Sequence, residues 1–306
     1  MHVGGGNRLK SVDFKNSGVF RKILLANVIA QVGIVITGGL VRVTSSGLGC
    51  PTWPECVDGS ITPTSQQTEA WHKYVEFGNR LLTFALGLIA ILVIIAVRNS
   101  AKDRKDLKRL SYGTLGGIFA QAILGGITVL TKLNPLTVAA HFLLSIALIA
   151  IAFNLHWRSR EPGEKTMTVT VPLVFRTAVK FHTALALLVI LIGTLVTGSG
   201  PHAGDAAKIT RLPFDPRVIS WFHADLVLLF IGLTIGLIVT AKTTKLDSNV
   251  SRAATGVLHV SLLQGLIGYV QYFSGLPWLM VALHIAGSCL VWLASLRLLY
   301  STRSFS

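Results

Sequence analysis

Residues 121–141, QAILGGITVLTKLNPLTVAAH, and residues 264–284, QGLIGYVQYFSGLPWLMVALH, carry one pattern twice. Each begins with a Gln and runs through a Gly-containing apolar helix, a short Pro-bearing turn and a second apolar helix to a His. The Gln stands 20 residues before the His in both. The pattern is an internal duplication, and it singles out two histidines, His141 and His284.

The chain around these hairpins is apolar. Of its 306 residues 51% are hydrophobic and 13% charged, and the mean hydropathy is +0.62. That balance lies outside the range of water-soluble globular proteins and places the chain in a membrane. Charge-free runs such as 23–41, 110–131 and 133–157 each reach the roughly 18 to 20 residues that a helix needs to cross about 30 Å of hydrocarbon. The run 253–296 is twice that length and is interrupted by Ser274, Gly275 and Pro277, so it reads as two helices and a tight turn. Eight spans are expected, near 20–42, 73–98, 109–132, 135–157, 178–199, 218–241, 253–274 and 278–299.

A net charge of +15 would suggest a nucleic-acid partner for a soluble protein, but here its distribution is that of a membrane topology. With the N-terminus cytoplasmic, most Lys and Arg fall on that side: Arg8, Lys10, Lys15, Arg21 and Lys22, then 98–109, 158–180, 242–252, Arg297 and Arg303. Few fall on the other, namely Arg42, Lys73, Arg80, Lys132, Lys208, Arg211 and Arg217. By the positive-inside rule both termini are cytoplasmic, as an even number of spans requires. The first ten residues, MHVGGGNRLK, lack the apolar core of a removable signal peptide, so the first span is expected to be retained.

An even number of spans per half gives both halves one orientation. The expected architecture is all-α, two tandem parallel four-helix bundles. Residues 1–157 form the first bundle, 158–177 a cytoplasmic linker and 178–306 the second. Further offsets support the correspondence: Asn27 to Gly38 and His182 to Gly193 are both 11 residues, Asn79 to His141 is 62 and His223 to His284 is 61.

His223 and His284 are expected about 8 to 9 Å below the outer surface, five and six residues into their spans at 1.5 Å per residue. Equal depth on alternate helices of one bundle suits two axial ligands of a single haem. A histidine hydrogen-bonding its neighbours is the plainer reading of either alone. The first half has the same frame with other contents: His141 answers His284, but Asn79 stands where His223 does. In E-F-G-N-R, Glu76 and Asn79 share a helix face by i, i+3 spacing and Arg80 follows. The second half reads S-W-F-H-A-D there, with Ser220 for Glu76 and Ala224 for Arg80. One half reads as a cofactor holder, the other as a reaction site. An ordinary ion pair of Glu76 with Arg80 or Lys73 is the alternative.

Cys50 and Cys56 lie in C-P-T-W-P-E-C on the oxidising side, a structural disulfide on the first reading and a redox-active pair on the second. Cys289 stands alone in the last helix as a small core residue. His72 is two turns outward of Asn79, too far along the axis to replace it, and His156, His182 and His259 read as helix-end hydrogen bonders.

Taken together, GGLVRVTSSGLGCPTWPEC, EFGNR, AAHF, WFHAD and ALHIAG resemble the haem A synthase family over all eight spans, in the bacterial branch with a cysteine pair in the first outer loop. The resemblance implies an oxidoreductase of the plasma membrane that converts haem O to haem A, for terminal oxidase assembly, by oxidising a porphyrin methyl group to a formyl group. It further implies a haem b on His223 and His284, substrate haem near His141, Glu76 as the essential carboxylate and haem sites towards the outer face. Many members carry E-x-x-H-R where this chain has Asn79. A haem ligated by His141 alone would be five-coordinate, and Asn79 is expected over its open face. Arg42, Arg80, Arg211 and Arg217 are candidates for propionate pairing or for snorkelling anchors. Haem O synthase, oxidase assembly factors and a second copy of the chain are the partners such an enzyme suggests, with the lipid bilayer and without nucleic acid. A bis-histidine membrane cytochrome b-type carrier and a transporter built on a parallel repeat are the rivals.

Overall fold

A computed structural model describes residues 17–161, 167–169, 171–205 and 210–305. Arg8, Lys10, Lys15 and Lys208, which entered the topology argument, lie outside the described residues, as does the N-terminal decapeptide. Eight helices follow one another: α1 Ser17–Val43, α2 His72–Ser100, α3 Lys105–Leu130, α4 Pro135–Arg158, α5 Leu173–Ser199, α6 Pro216–Thr243, α7 Ser248–Phe273 and α8 Trp278–Ser301. All eight are long and apolar enough to cross a membrane. Beyond the helices the described residues hold two three-residue strands, β1 Met167–Val169 and β2 Arg303–Phe305, paired antiparallel. They fasten the segment between α4 and α5 to the chain end after α8.

Several helices run past their apolar cores at the basic ends. α3 starts at Lys105 and α5 at Leu173, four and five residues before the expected spans, so α5 reaches into the stretch expected as linker. Backbone hydrogen bonding does not stop where the apolar run stops, and long basic side chains lie along the helix with their charges in water. Pro172, directly before α5, has its ring-fixed φ at the helix entry, where no amide donor is needed. At other starts the cap is a side chain: Asn134 accepts from Leu136 N, Asp215 from Arg217 N and Val218 N, and Asp247 from Asn249 N. Each such cap contributes about 1 kcal/mol.

The repeated hairpins close alike. Leu133 N donates to Thr128 O at 2.9 Å and Leu276 N to Gln271 O at 2.8 Å. Left-handed backbone falls on Lys132 and Leu133 in one turn and on Gly275 and Leu276 in the other.

Helix packing repeats as well. α1 packs on α2, α4 and α8; α5 packs on α6, α8 and α4; α3 lies between α2 and α4, and α7 between α6 and α8. Renaming α1–α4 as α5–α8, and the reverse, returns the same set of neighbours. Within each half α2 and α4, or α6 and α8, stand diagonally without packing on one another. The shared core runs through α1, α4, α5 and α8, where Trp292 Nε1 donates to Ile146 O at 3.0 Å. The outward surface is apolar, with Phe84 77% and Val174 82% exposed, as a surface facing hydrocarbon requires.

Candidate functional site

The four side chains expected at the two sites occupy equivalent places. Asn79 lies seven residues into α2, His223 seven into α6, His141 six into α4 and His284 six into α8, all from the same end of the molecule. Each leans on a glycine of the preceding helix. A methyl group built on Gly125, Gly193 or Gly268 would stand 3.2, 3.3 or 3.1 Å from Cε1 of His141, His223 or His284 respectively. On Gly38 it would stand 4.0 Å from Asn79 Nδ2. Only a residue without a side chain lets an imidazole approach a helix backbone this closely. In all three histidines Nδ1 is buried and lies nearer the glycine than Nε2 does, and the rings of His223 and His284 face the backbone of Val189 and Gln264, one turn before their glycines. Nε2 is the nitrogen left to face a ligand.

The conserved-in-repeat glutamines brace the same helices. Gln121 Nε2 donates to His141 O at 3.0 Å and also contacts Ser145 Oγ, while Gln264 Nε2 donates to His284 O at 2.8 Å. In both, Oε1 is buried and unpartnered. Each glutamine sits four residues before the glycine that seats the ring, so one helix turn supports the histidine at its backbone and at its imidazole. That i, i+4 Gln and Gly pair was visible in the sequence of both hairpins. Its role was not, because the partner is on another helix.

His223 and His284 stand on diagonal helices of the second half, α6 and α8. A planar macrocycle between them would meet one imidazole on each face. The residues therefore suit a haem, with two imidazoles each seated on a glycine and that of His284 also braced by Gln264. The first half offers His141 alone. Asn79, across from it, accepts through Oδ1 from Thr37 Oγ1 at 2.8 Å.

Outward of Asn79 the halves part company. Glu76 is 6% exposed, and its Oε1 takes Arg80 Nη2 at 2.6 Å and Nε at 3.1 Å. Its Oε2 accepts from Cys50 N at 2.7 Å. Arg80 also donates to Cys50 O, Thr52 O and Glu55 O. Lys73 is not part of this pair; its Nζ donates to Thr64 O and Gln67 O. Cys50 and Cys56 form a disulfide, and between them Trp53 lies on Gly126, beside the glycine that seats His141. The contact of Trp53 with Gly126 was not legible, since nothing local says which helix a loop indole meets.

Other expected groups are engaged elsewhere. Arg42 donates to His202 O and Thr197 O, and Arg211 to Gly200 O and Pro201 O. Arg217 is exposed at the start of α6. His72 bonds Ser46 Oγ at 2.9 Å, His182 bonds Thr234 Oγ1 at 2.9 Å while stacked on Phe230, His156 contacts Arg160, and His259 is exposed.

A family model described as cytochrome oxidase assembly protein matches residues 21–296. The chain is similar to proteins named heme A synthase. With that of Alkalihalophilus pseudofirmus it shares 29% identity over 184 residues, 58% of this chain and 61% of the relative. For Exiguobacterium sibiricum the figures are 28% over 168 residues, 55% of each chain, and for Lysinibacillus sphaericus 37% over 125 residues, 40% and 38%. The matched stretches thus span less than two thirds of these relatives' own lengths.

Proposed function

The chain belongs to the cytochrome oxidase assembly protein family, and from that premise we propose that it is a haem A synthase, oxidising a methyl group of haem O to the formyl group of haem A. The observation that carries the reading is an asymmetry within one frame. Both halves seat and brace a histidine in the same way, but only the first has the Glu76–Arg80 pair held under a loop.

In this reading residues 178–306 are the haem b half, in which His223 and His284 would hold the iron, and residues 1–157 the substrate half, joined through the segment 158–177. Haem b, when bound, supplies a one-electron redox centre. His141 binds and orients the substrate haem through Nε2, with its ring held by Gly125 and its backbone by Gln121. Asn79, fixed by Thr37, leaves the opposite side without a second imidazole. Glu76 accepts and returns protons at its carboxylate as the methyl carbon is oxidised, a role suited to a buried group with one oxygen on a guanidinium and the other on a single amide. Arg80 orients Glu76 rather than binding propionates, because its donors already meet the carboxylate and three carbonyls. The distribution of the basic segments supports cytoplasmic termini, with the sites towards the outer face of the plasma membrane. A haem O-forming enzyme then supplies the substrate and oxidase assembly consumes the product.

The test is coexpression of the full chain with a haem O-forming enzyme, followed by haem extraction and mass analysis. Haem A accompanying haem b is the expected result. Haem b alone would make the protein an electron carrier, and a colourless protein would make it a transporter.

A further inference from the structure

The segment C-P-T-W-P-E-C does more than close a disulfide. Its backbone supplies every loop group that Glu76 and Arg80 use: Cys50 N to Glu76 Oε2 at 2.7 Å, and Cys50 O, Thr52 O and Glu55 O to Arg80 at 2.7, 3.0 and 3.0 Å. These bonds tie the loop to α2. On the other side the loop reaches α3 through one side chain. The Trp53 indole lies flat enough on Gly126 that a methyl group there would stand 2.5 Å from Cδ2 and 2.6 Å from Cε2. No real side chain tolerates that approach, so Gly126 is a slot for the indole. The next residue back, Gly125, seats His141.

The other half shows what the slot is for. Its counterpart of Gly126 is Tyr269, a half-exposed side chain stacked on Phe273 of its own helix, so that position offers no bare backbone to an indole. The counterparts of Glu76 and Arg80 are Ser220 and Ala224. Slot, carboxylate and guanidinium occur together in one half, and the equivalent positions of the other hold Tyr269, Ser220 and Ala224.

We propose that Trp53 is a positioning residue: seated on Gly126, it fixes the disulfide loop across α2 and α3, and the loop backbone in turn fixes the Glu76 carboxylate relative to the substrate seat at His141. This rests on the assignment of the first half as the reaction site. The plain alternative, an interfacial tryptophan anchoring the loop in the lipid headgroups, makes no use of Gly126.

The experiment uses the full chain coexpressed with a haem O-forming enzyme and compares W53A, W53F, G126A and the double variant W53A/G126A. Haem A formed per haem b is measured, together with amide exchange of residues 50–56 by mass spectrometry. W53A and G126A should each lower haem A per haem b by about 10- to 100-fold, the scale of a catalytic group misplaced by about 1 Å. Both should speed exchange in 50–56 and leave the haem b spectrum unchanged. W53F, which keeps a flat ring, should retain most turnover, and the double variant should be no worse than W53A, since both changes break one contact. Normal turnover in W53A or G126A, effects that multiply in the double variant, or haem b lost in step with haem A would overturn the proposal. A parent that makes no haem A would overturn the functional reading instead, and the exchange data would still decide whether Trp53 braces the loop.

Discussion

His141, His223 and His284 are held in the same way, and what holds them is a missing side chain. Each ring rests on a glycine whose replacement by any larger residue would push into the imidazole. Gly268→Val should therefore displace His284 and remove the low-spin haem b band from the visible spectrum, whereas Gly125→Val should leave that band and lower haem A. The two variants differ by which histidine each glycine faces, so equal loss of haem b in both would contradict the assignment. The histidines themselves were legible, because the same 20-residue spacing from a Gln occurs twice. The glycines were in plain view in the same stretches, but a seat is a relation between two helices. Periodicity along one helix does not say which residue of a neighbour faces it.

Among the elements, the hairpins α3–α4 and α7–α8 are the units that were copied. Their turns share one hydrogen bond, their glutamines donate to equivalent carbonyls, and their spans were readable from hydropathy alone. Gln264→Leu removes the bond to His284 O, worth about 1 kcal/mol. It should shift the haem b midpoint potential and speed haem loss without abolishing haem A, while Gln121→Leu should leave haem b unaltered and slow haem A formation. Redox titration and haem retention on dilution check both. The α1–α2 loop is the element least legible in advance. Composition showed two cysteines on the oxidising side, but the loop's shape depends on Arg80 reaching three of its carbonyls and on Lys73 reaching two more. The Arg80 contacts cross 25 to 30 residues, and the loop must double back for Lys73 to meet its two. Replacing Cys50 and Cys56 by Ser frees a short closed loop, about 2 kcal/mol of ordering. The double variant should exchange amides at 50–56 faster and make less haem A at unchanged haem b; unchanged exchange would show that Arg80 and Trp53 suffice.

For the whole molecule, one four-helix unit occurs twice, and the neighbour set of each helix is preserved when the halves are interchanged. The sequence offsets made that correspondence readable. The surface on which the halves meet was not, because it depends on which faces of α1, α4, α5 and α8 are turned inward. The α5–α6 loop adds a further tie between the halves, where Gly47 N donates to Gly204 O at 2.7 Å and Arg42 Nε donates to His202 O at 2.8 Å. The divergence between the halves, rather than the frame, assigns the work: two seated imidazoles in one, a seated imidazole with a buried carboxylate in the other. Haem extraction from Glu76→Ala beside the parent, both coexpressed with a haem O-forming enzyme, tests this division most directly. The account predicts haem b at parental level in the variant, with haem O in place of haem A. Haem A at parental yield from Glu76→Ala, or haem b lost together with haem A, would contradict it.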